Sequence, residues 1–543
     1  MGGGQGLKFV GASATTLVRP PQLKALYTNS PSSRAGQRLP LARSRVLAPL
    51  LLTLLSFAAV LIHGYHPYAE DAGIYVAGIE LRLHPLLFPF GQEFIAAHTS
   101  LSIFAPAVAA LAVALHSPLR DVLFGLQIAG TWMLLFGCWQ IARRCFSSAA
   151  GRWGAVVLAA CCLTLPVAGT SLFMMDPYVT GRTFSTPCIL LAISGCLDRR
   201  WAATLIPLGI AALFHPLMAI YATGFLLMLL AAQSHRWKLA ATLCGAAVVS
   251  GAALQFSQRN VAETPAYIAA ALTRSYFYIS QWQWYEVIGI VAPPLMMFAY
   301  AYRNRRAPIS PALGARIALC WAMVLCSAAS IMVSLLFAHP TSHSHLVARL
   351  QPLRAFHIVY LVFFVLLGGL IGQHWLKRAT WRWIALFGAV AATMFFAQRA
   401  TYPSSPHLEA PWTTPTNPWA QAFLWIRANT PTSALFALDA HYITAPGEDA
   451  QGFRAEAERS TLADYSKDGG ASAIFPQLAP AWMTQHTADT GLSAMSDSQR
   501  IAHLAPFGVT WIVLQRGAQT AFDCPYANAE IRVCRLPART PQM

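Results

Sequence analysis

The sequence is organised by long uncharged stretches of apolar residues that recur from residue 46 to residue 398. A bilayer core about 30 Å thick needs about 20 apolar helical residues to cross it, and a backbone facing lipid must satisfy its own hydrogen bonds. The alternating pattern of a barrel strand is absent from these stretches. They predict a polytopic α-helical membrane protein with apolar segments near 46–63, 98–116, 119–141, 153–173, 184–197, 202–214, 217–233, 237–257, 285–302, 314–338, 357–375 and 381–398.

The short loops between these segments carry clusters of Lys and Arg, which is typical of loops on the cytoplasmic side of a membrane. Placing the basic loops inside puts the intervening loops, and everything after residue 398, on the outer side. An even number of crossings must then separate the basic amino-terminal leader from the basic loop at 143–152. Segment 98–116 should therefore not cross as a simple span. The pattern predicts about 11 spans.

Charge divides the chain into three regions. Residues 1–45 carry seven basic residues and no acid, which predicts a disordered cytoplasmic leader. Residues 46–398 form the predicted transmembrane domain, with 21 basic and nine acidic residues. Residues 399–543 alternate helix-like and short strand-like stretches, as in "NPWAQAFLWIRANT" and "TWIVLQR", which predicts a small extracytoplasmic α/β domain. The formal charge of +17 thus belongs to the leader and the loops, and it does not indicate a nucleic-acid partner.

Eight of the 11 cysteines lie in apolar segments, where a small buried side chain is the ordinary interpretation. Cys524 and Cys534 lie in the tail, separated by a turn-like spacer. A tail outside the cytoplasm would permit a disulfide between them, and the sequence leaves open whether it forms.

Adjacent carboxylates follow the first apolar segment, Glu70 and Asp71 in "YHPYAEDAGIYVAGIELRL". They precede a predicted surface helix. Ionisable groups beside lipid are costly and therefore suggest function, and a carboxylate held near an acceptor hydroxyl can act as a general base. Asp176, in "MMDPYVTGRTFSTP", is predicted on the same outer side. The alternative for each is an interfacial, solvated carboxylate.

Two further groups offer chemistry on the outer side. Arg349 and Arg354 precede an apolar helix in "ARLQPLRAFHIVYLVFF", where a guanidinium fork can bind a lipid phosphate or simply anchor the helix to headgroups. His339, His343 and His345 in "HPTSHSH" have a spacing that can bind zinc, although a flexible loop is a poor preformed site.

The first-loop motif "YHPYAEDAGIYVAGI", the second-loop motif "DPYVTGR" and the outer carboxyl-terminal domain together resemble the C-type (GT-C) glycosyltransferases. The tail pattern "WIRANTP" to "LADYSKD" also resembles uncharacterised bacterial membrane proteins of this type. The resemblance implies transfer of a sugar from a polyprenyl-phosphate donor to an acceptor on the outer face of the membrane, and the sequence does not identify that acceptor. It places the chain in a bacterial inner membrane, with its amino terminus in the cytoplasm.

By this resemblance, Asp71 would take the acceptor proton with Glu70 as its neighbour, and Asp176 would orient the acceptor or a divalent metal. The lipid phosphate would be held by Arg349, Arg354 and Arg182. The cofactor stays open, with a divalent metal as one candidate. The "WWDYG" motif of oligosaccharyltransferases is absent, which argues against glycosylation of protein sequons. Two other hypotheses remain, a non-catalytic GT-C-like protein of envelope polysaccharide assembly and a transporter, although the sequence shows no internal repeat.

Overall fold

The computed structural model describes residues 38–308, 310–445 and 449–537, and it shows a mostly helical chain with one small sheet. Most of the predicted leader lies outside the described residues. Helix α1 begins at Arg38, before the predicted boundary at residue 45. The described residues from Leu51 onward form one compact unit, so the sheet-containing tail packs as part of the same body as most of the helices.

The helices are α1 Arg38–His63, α2 Ala72–Leu83, α3 Gln92–Thr99, α4 Phe104–Leu115, α5 Leu119–Cys145, α6 Ala149–Cys161, α7 Gly181–Leu197, α8 Trp201–Phe214, α9 Pro216–Gln233, α10 Trp237–Ser257, α11 Pro265–Leu272, α12 Trp284–Arg303, α13 Pro311–Phe337, α14 Leu346–Arg349, α15 Phe356–Ile371, α16 Thr380–Thr401, α17 Pro418–Asn429, α18 Phe453–Ala457, α19 Lys467–Ile474, α20 Ala479–Asp489 and α21 Asp497–Leu504. Short 3₁₀ turns occupy Ser275–Phe277, Ile279–Gln281, Pro352–Ala355, Tyr442–Thr444, Pro476–Leu478 and Ala505–Phe507, and a π turn, Gly372–Leu376, extends α15.

The chain is a multi-pass membrane protein. Among the described residues, seven helices are long and apolar enough to cross a bilayer, or eight if α3 and α4 count as one span. The predicted number of about 11 is not confirmed, because several apolar segments form shorter helices, such as α6 and α8. Segment 98–116 is broken where α3 meets α4 at 97°. It therefore does not form one straight span. This agrees with the charge pattern, which predicted that segment 98–116 would not cross as a simple span.

Helices α6 and α15 approach each other closely through small residues. A Cβ built on Gly154 would lie 2.5 Å from the carbonyl oxygen of Gly368, and one built on Gly372 would lie 2.2 Å from that of Ala150. Membrane helices gain stability chiefly from such close packing, since lipid is as apolar as their side chains. These glycines hold the centre of the helical core.

Helix α2 carries the acidic pair at its start, and it is buried rather than lying on the surface as predicted. Every residue from Ala72 to Glu80 is buried. Gly73 packs against Gly452 of the tail, and Gly78 packs against Thr99. Because α2 is uncharged from Ala72 to Ile79 and has glycines at its contact points, other elements can cover this part of it on all sides. The start of α2 thereby lies against the tail.

The tail contains a five-stranded sheet in the order β2-β1-β3-β5-β4. The strands are β1 Leu435–Ala437, β2 Ser460–Thr461, β3 Trp511–Gln515, β4 Tyr526–Ala527 and β5 Ile531–Arg535. Strands β2, β1 and β3 are parallel, whereas β3, β5 and β4 are antiparallel. Alternate residues pack on opposite faces, such as Phe436 on one and Leu435 on the other. The predicted α/β tail is confirmed, and Cys524 and Cys534 are joined by a disulfide.

Candidate active site

The acidic pair lies where the chain turns into α2. Glu70 has a positive φ of 50°, which is uncommon for a residue other than glycine, and Asp71 is the N-cap of the helix. The Asp71 side chain makes no capping hydrogen bond to its own helix. Its carboxylate is instead directed to two cations from distant parts of the chain. The sharp turn before α2 thus presents both carboxylates to Lys467, and Asp71 also to Arg182.

The first cation is Arg182, in the first turn of α7. A capping box between Thr180 and Thr183 fixes the start of this helix. Arg182 Nη2 donates to Asp71 Oδ2 at 3.1 Å, and Arg182 Nε donates to Asp176 Oδ2 at 3.0 Å. One buried guanidinium therefore bridges the two loops that carry the predicted acidic motifs.

Asp176 stands behind Arg182 and does not line the cavity described below. Its side chain is 5% exposed, and its carboxylate is occupied by Arg182, with Thr180 at 3.5 Å. A carboxylate in this position cannot reach an acceptor or share a metal with Asp71 while the guanidinium lies between them. The geometry therefore favours a positioning role for Asp176.

The second cation is Lys467, at the start of α19 in the tail. Its Nζ makes an ion pair with Glu70 and lies 3.5 Å from Asp71 Oδ1. Burial alone would raise the pKa of Asp71, but the positive charges of Lys467 and Arg182 hold that pKa well below its usual range. The same contacts with Glu70 and Asp71 raise the pKa of Lys467 against the effect of burial. Asp71 is consequently ionised, and Lys467 is charged.

Two arginines from the connection between α13 and α15 complete the site. Arg349 ends α14, and Arg354 lies in the 3₁₀ turn Pro352–Ala355. Arg354 has no carboxylate within ion-pair distance among the described residues, and its buried Nε has no hydrogen-bond partner there. Its guanidinium lies 5.6 Å from the centre of the Tyr276 ring. Within the described ranges, Arg354 is thus a cation without a counter-ion, and its guanidinium is available to bind an anion.

These groups enclose a cavity of about 700 Å³ between the loops that join the membrane helices and the tail. Its wall includes Glu70, Asp71, Arg182, Arg349 and Arg354, so five of the six residues predicted for catalysis or phosphate binding line one space. Arg274, Lys467, His98, His215, Tyr75 and Tyr276 also line it and were not assigned a role from the sequence. No local pattern marked Lys467, because its partners lie 396 and 397 residues away along the chain.

The three candidate metal ligands do not converge. His345 faces Glu263, with Nδ1 and Oε2 2.6 Å apart, whereas His339 Nδ1 contacts Thr341. Within the described part of the chain, no group of three His, Cys, Asp or Glu side chains is arranged to hold a metal ion. These contacts do not support the zinc hypothesis for this loop, because the carboxylate of Glu263 engages His345.

An apolar groove adjoins the polar cavity. It has a volume of about 320 Å³ and lies between α9, α10 and α13. Ile220 and Leu350 line both the groove and the cavity. The two spaces therefore meet, and a ligand with a charged head and an apolar chain could occupy both.

Comparisons with known proteins show a remote structural similarity. No protein-family model matches the sequence, and no curated protein matches it. Among solved structures, the chain is similar to the arabinofuranosyltransferase AftD from Mycobacteria, with 13% sequence identity and a TM-score of 0.44. The similarity covers 92% of this chain and 40% of that protein.

Proposed function

We propose that this protein is a membrane glycosyltransferase that moves a sugar from a polyprenyl-phosphate donor to an acceptor at the outer face of the membrane. One observation carries the proposal. A single cavity holds an ionised carboxylate, Asp71, and a cation without a counter-ion, Arg354, and it adjoins an apolar groove among the membrane helices. Base, phosphate site and lipid site are the three parts that this reaction requires.

The phosphate of the donor binds Arg354 and Arg349 in this proposal, with Arg182 deeper in the cavity. A guanidinium fork matches the geometry of phosphate oxygens and is weakly hydrated, so it binds a phosphate better than an ammonium group does. The buried Nε of Arg354 supports this assignment, because an unpartnered donor there costs stability until an anion fills the site.

The polyprenyl chain lies in the groove between α9, α10 and α13. The lining is almost entirely apolar, for example Met228, Leu243 and Val333. An isoprenoid chain has no hydrogen-bonding groups, so its transfer from water or lipid into the groove breaks no hydrogen bonds. The shared wall at Ile220 and Leu350 lets the chain pass from the groove to the phosphate site.

The reaction follows from this placement. The acceptor hydroxyl oxygen attacks the anomeric carbon of the sugar, and the bond from that carbon to the phosphate oxygen breaks. The electron pair stays on the leaving polyprenyl phosphate, and the acceptor proton passes to Asp71. Arg354 and Arg349 stabilise the charge that develops on the phosphate, and removing one such group typically costs on the order of 10²–10³ in rate.

A divalent metal does not fit the residues as they are arranged. Asp71 and Asp176 are the nearest pair of carboxylates from the two acidic motifs, and Arg182 binds both of them. A cation already occupies the place between them. No step of the proposed reaction therefore uses a metal.

The proposal places the cavity and the tail on the outer side of a bacterial inner membrane and the basic loops in the cytoplasm. The charge pattern of the loops supports this orientation. The Cys524–Cys534 disulfide also supports it, because disulfides persist in oxidising compartments and are rare in the cytosol.

The test is sugar transfer by variants of the acidic pair. Asp71→Asn keeps the size of the side chain but cannot accept the proton in the same way, so it should abolish transfer. Glu70→Gln should reduce transfer less, since Glu70 contacts Lys467 rather than Arg182. The measurement uses membranes that contain each variant and a panel of undecaprenyl-phosphate hexoses and pentoses with labelled sugars. Thermal melting of the purified variants serves as the folding control.

Transfer by folded Asp71→Asn at the wild-type rate would contradict the catalytic assignment. No transfer by the wild type from any donor of the panel would favour a non-catalytic role in envelope assembly. Movement of the intact donor between leaflets, without cleavage, would favour a transporter.

A further inference from the structure

We infer that Lys467, carried by the tail, is a positioning residue of the transfer reaction, and that the outer loop before Ser275 holds it in place through Arg274. The inference rests on the proposed function, because it assigns a role in the orientation of Asp71. It makes the tail a part of the active site rather than an accessory domain.

The contact geometry of Lys467 carries the inference. The side chain is 14% exposed, and its ammonium group lies between the Glu70 and Asp71 carboxylates. Asp71 has two oxygens, and each faces one cation: Oδ2 faces Arg182 from α7, and Oδ1 faces Lys467 from α19. Two contacts from opposite sides fix the plane of a carboxylate, whereas one contact leaves it free to rotate.

The start of α19 is itself held at two points. The Lys467 backbone amide donates to Asp464 Oδ1 at 2.5 Å. Arg274 Nη1 donates to the carbonyl oxygen of Ser466 at 2.8 Å, and Arg274 Nη2 donates to that of Tyr465 at 3.2 Å. Arg274 Nε also contacts Thr273 in its own loop, at 2.8 Å. The two Nη groups of Arg274 thus hold the two residues directly before Lys467, and its Nε binds the loop that carries it.

These contacts join three distant segments into one assembly. Arg274 follows α11 in an outer loop, Lys467 belongs to the tail, and the acidic pair precedes α2. A fork that binds two successive carbonyl groups fixes the direction of the chain as well as its position. The placement of the Lys467 ammonium group therefore depends on the loop, and the orientation of Asp71 depends on Lys467.

A second role for the same contact predicts the opposite effect. If Lys467 only blocked the space in which the acceptor hydroxyl must lie, or only weakened Asp71 as a base by lowering its pKa, its removal would raise the rate. If Lys467 positions Asp71, its removal lowers the rate while the donor still binds. The sign of the change in kcat separates these two roles.

The experiment compares Lys467→Met with Lys467→Arg in the full chain, in detergent. Lys467→Met removes the charge at similar length and should lower kcat on the order of 10²-fold, as expected when a reacting group is misplaced by about 1 Å. The KM for the donor, and the Kd for undecaprenyl phosphate as a binding probe, should stay within about twofold of wild type, since Arg349 and Arg354 are intact. Lys467→Arg should restore most of the loss. Lys238→Met, an exposed lysine on α10, is the matched control.

A second measurement is independent of activity. Lys467 is the single lysine of residues 399–543, so its rate of acetylation can be followed by mass spectrometry. It should react slowly in the wild type and faster in Asp71→Asn and Glu70→Gln. If the wild type transfers no sugar but Lys467 is still protected from acetylation, the proposed function is refuted. The contact of Lys467 with Glu70 and Asp71 would still stand.

The inference is overturned if Lys467→Met transfers sugar at or above the wild-type rate. It is also overturned if Lys467→Arg fails to restore kcat, or if Lys467 is acetylated equally fast in the wild type and in Asp71→Asn. If Lys467→Met has a lower melting temperature than the wild type, Lys467→Gln replaces it, because glutamine keeps a polar end group. The same criteria for kcat then apply to Lys467→Gln.

Discussion

A buried carboxylate in the tail should make the stability of this protein depend on pH. Glu456 on α18 is 4% exposed, and its Oε2 has no hydrogen-bond partner among the described residues. Burial, together with the negative charge of Glu409, raises the pKa of Glu456 from 4.5 to about 8. Glu80 on α2 is also buried, and its Oε2 likewise has no partner within the described ranges. The two helices that carry Glu80 and Glu456 meet at the contact between Gly73 and Gly452.

The sign of the effect follows from proton binding. Between the unfolded pKa of 4.5 and the folded pKa of about 8, the folded state holds a proton at Glu456 that the unfolded chain releases. Stability is therefore full below about pH 4.5 and falls as the pH rises through this window. The shift corresponds to about 2–3 kcal/mol of unfolding free energy lost between about pH 5 and about pH 7.

Glu456→Gln tests this, because glutamine keeps the shape of the protonated acid and cannot ionise. The melting temperature of the purified full chain, in detergent, should match wild type near pH 5 and exceed it above about pH 7. Glu93→Gln, at an exposed position on α3, is the control and should show no such difference between the two pH values. The reasoning is refuted if Glu456→Gln changes the melting temperature by the same amount at both pH values.

Three further predictions concern the donor site, the helical core and the tail. Arg354→Ala should raise the KM for the polyprenyl-phosphate donor by about tenfold or more, and Arg354→Lys should raise it less because the charge remains. Equal KM values for both variants and the wild type would mean that Arg354 only anchors its helix to lipid headgroups. Gly154→Leu should lower the melting temperature, since its Cβ would lie 2.5 Å from the Gly368 carbonyl oxygen, whereas Gly245→Leu, where no atom lies within 4 Å, should melt like wild type. Cys534→Ser should lower the unfolding free energy of the tail by about 2–3 kcal/mol, measured by denaturation without reductant. An unchanged transition would show that the disulfide does not stabilise the tail.

Local patterns in the sequence predicted the class of the protein and the main parts of the site. Apolar stretches of membrane-spanning length predict helices in a bilayer whatever their partners are, because the cost of an unsatisfied backbone in lipid is local. Helix α17 and strand β3 were predicted in the tail from their residue patterns, whereas the two-residue strands β2 and β4 are too short to show any period. The acidic pair and Arg354 were notable because charges are rare beside lipid.

Span boundaries depended on packing as well as on hydropathy. Segment 98–116 is continuous in composition, yet it breaks at 97° between α3 and α4. Helix α2 was predicted on the surface, but Gly73 and Gly78 let other elements cover it. A glycine in a helix pattern does not indicate which neighbour will approach it.

Only the tertiary structure decided how the site is assembled. The sequence placed Asp71 and Asp176 on the same outer side, but it did not show that Arg182 lies between them and turns Asp176 away from the cavity. It gave no sign of Lys467, because a lysine at the start of a tail helix has the same local pattern whether it faces water or a carboxylate. Periodicity and composition report the surroundings of a residue along the chain. The contact of Lys467 with Glu70, 397 residues earlier, arises from the packing of the tail against α2, and only the folded chain specifies it.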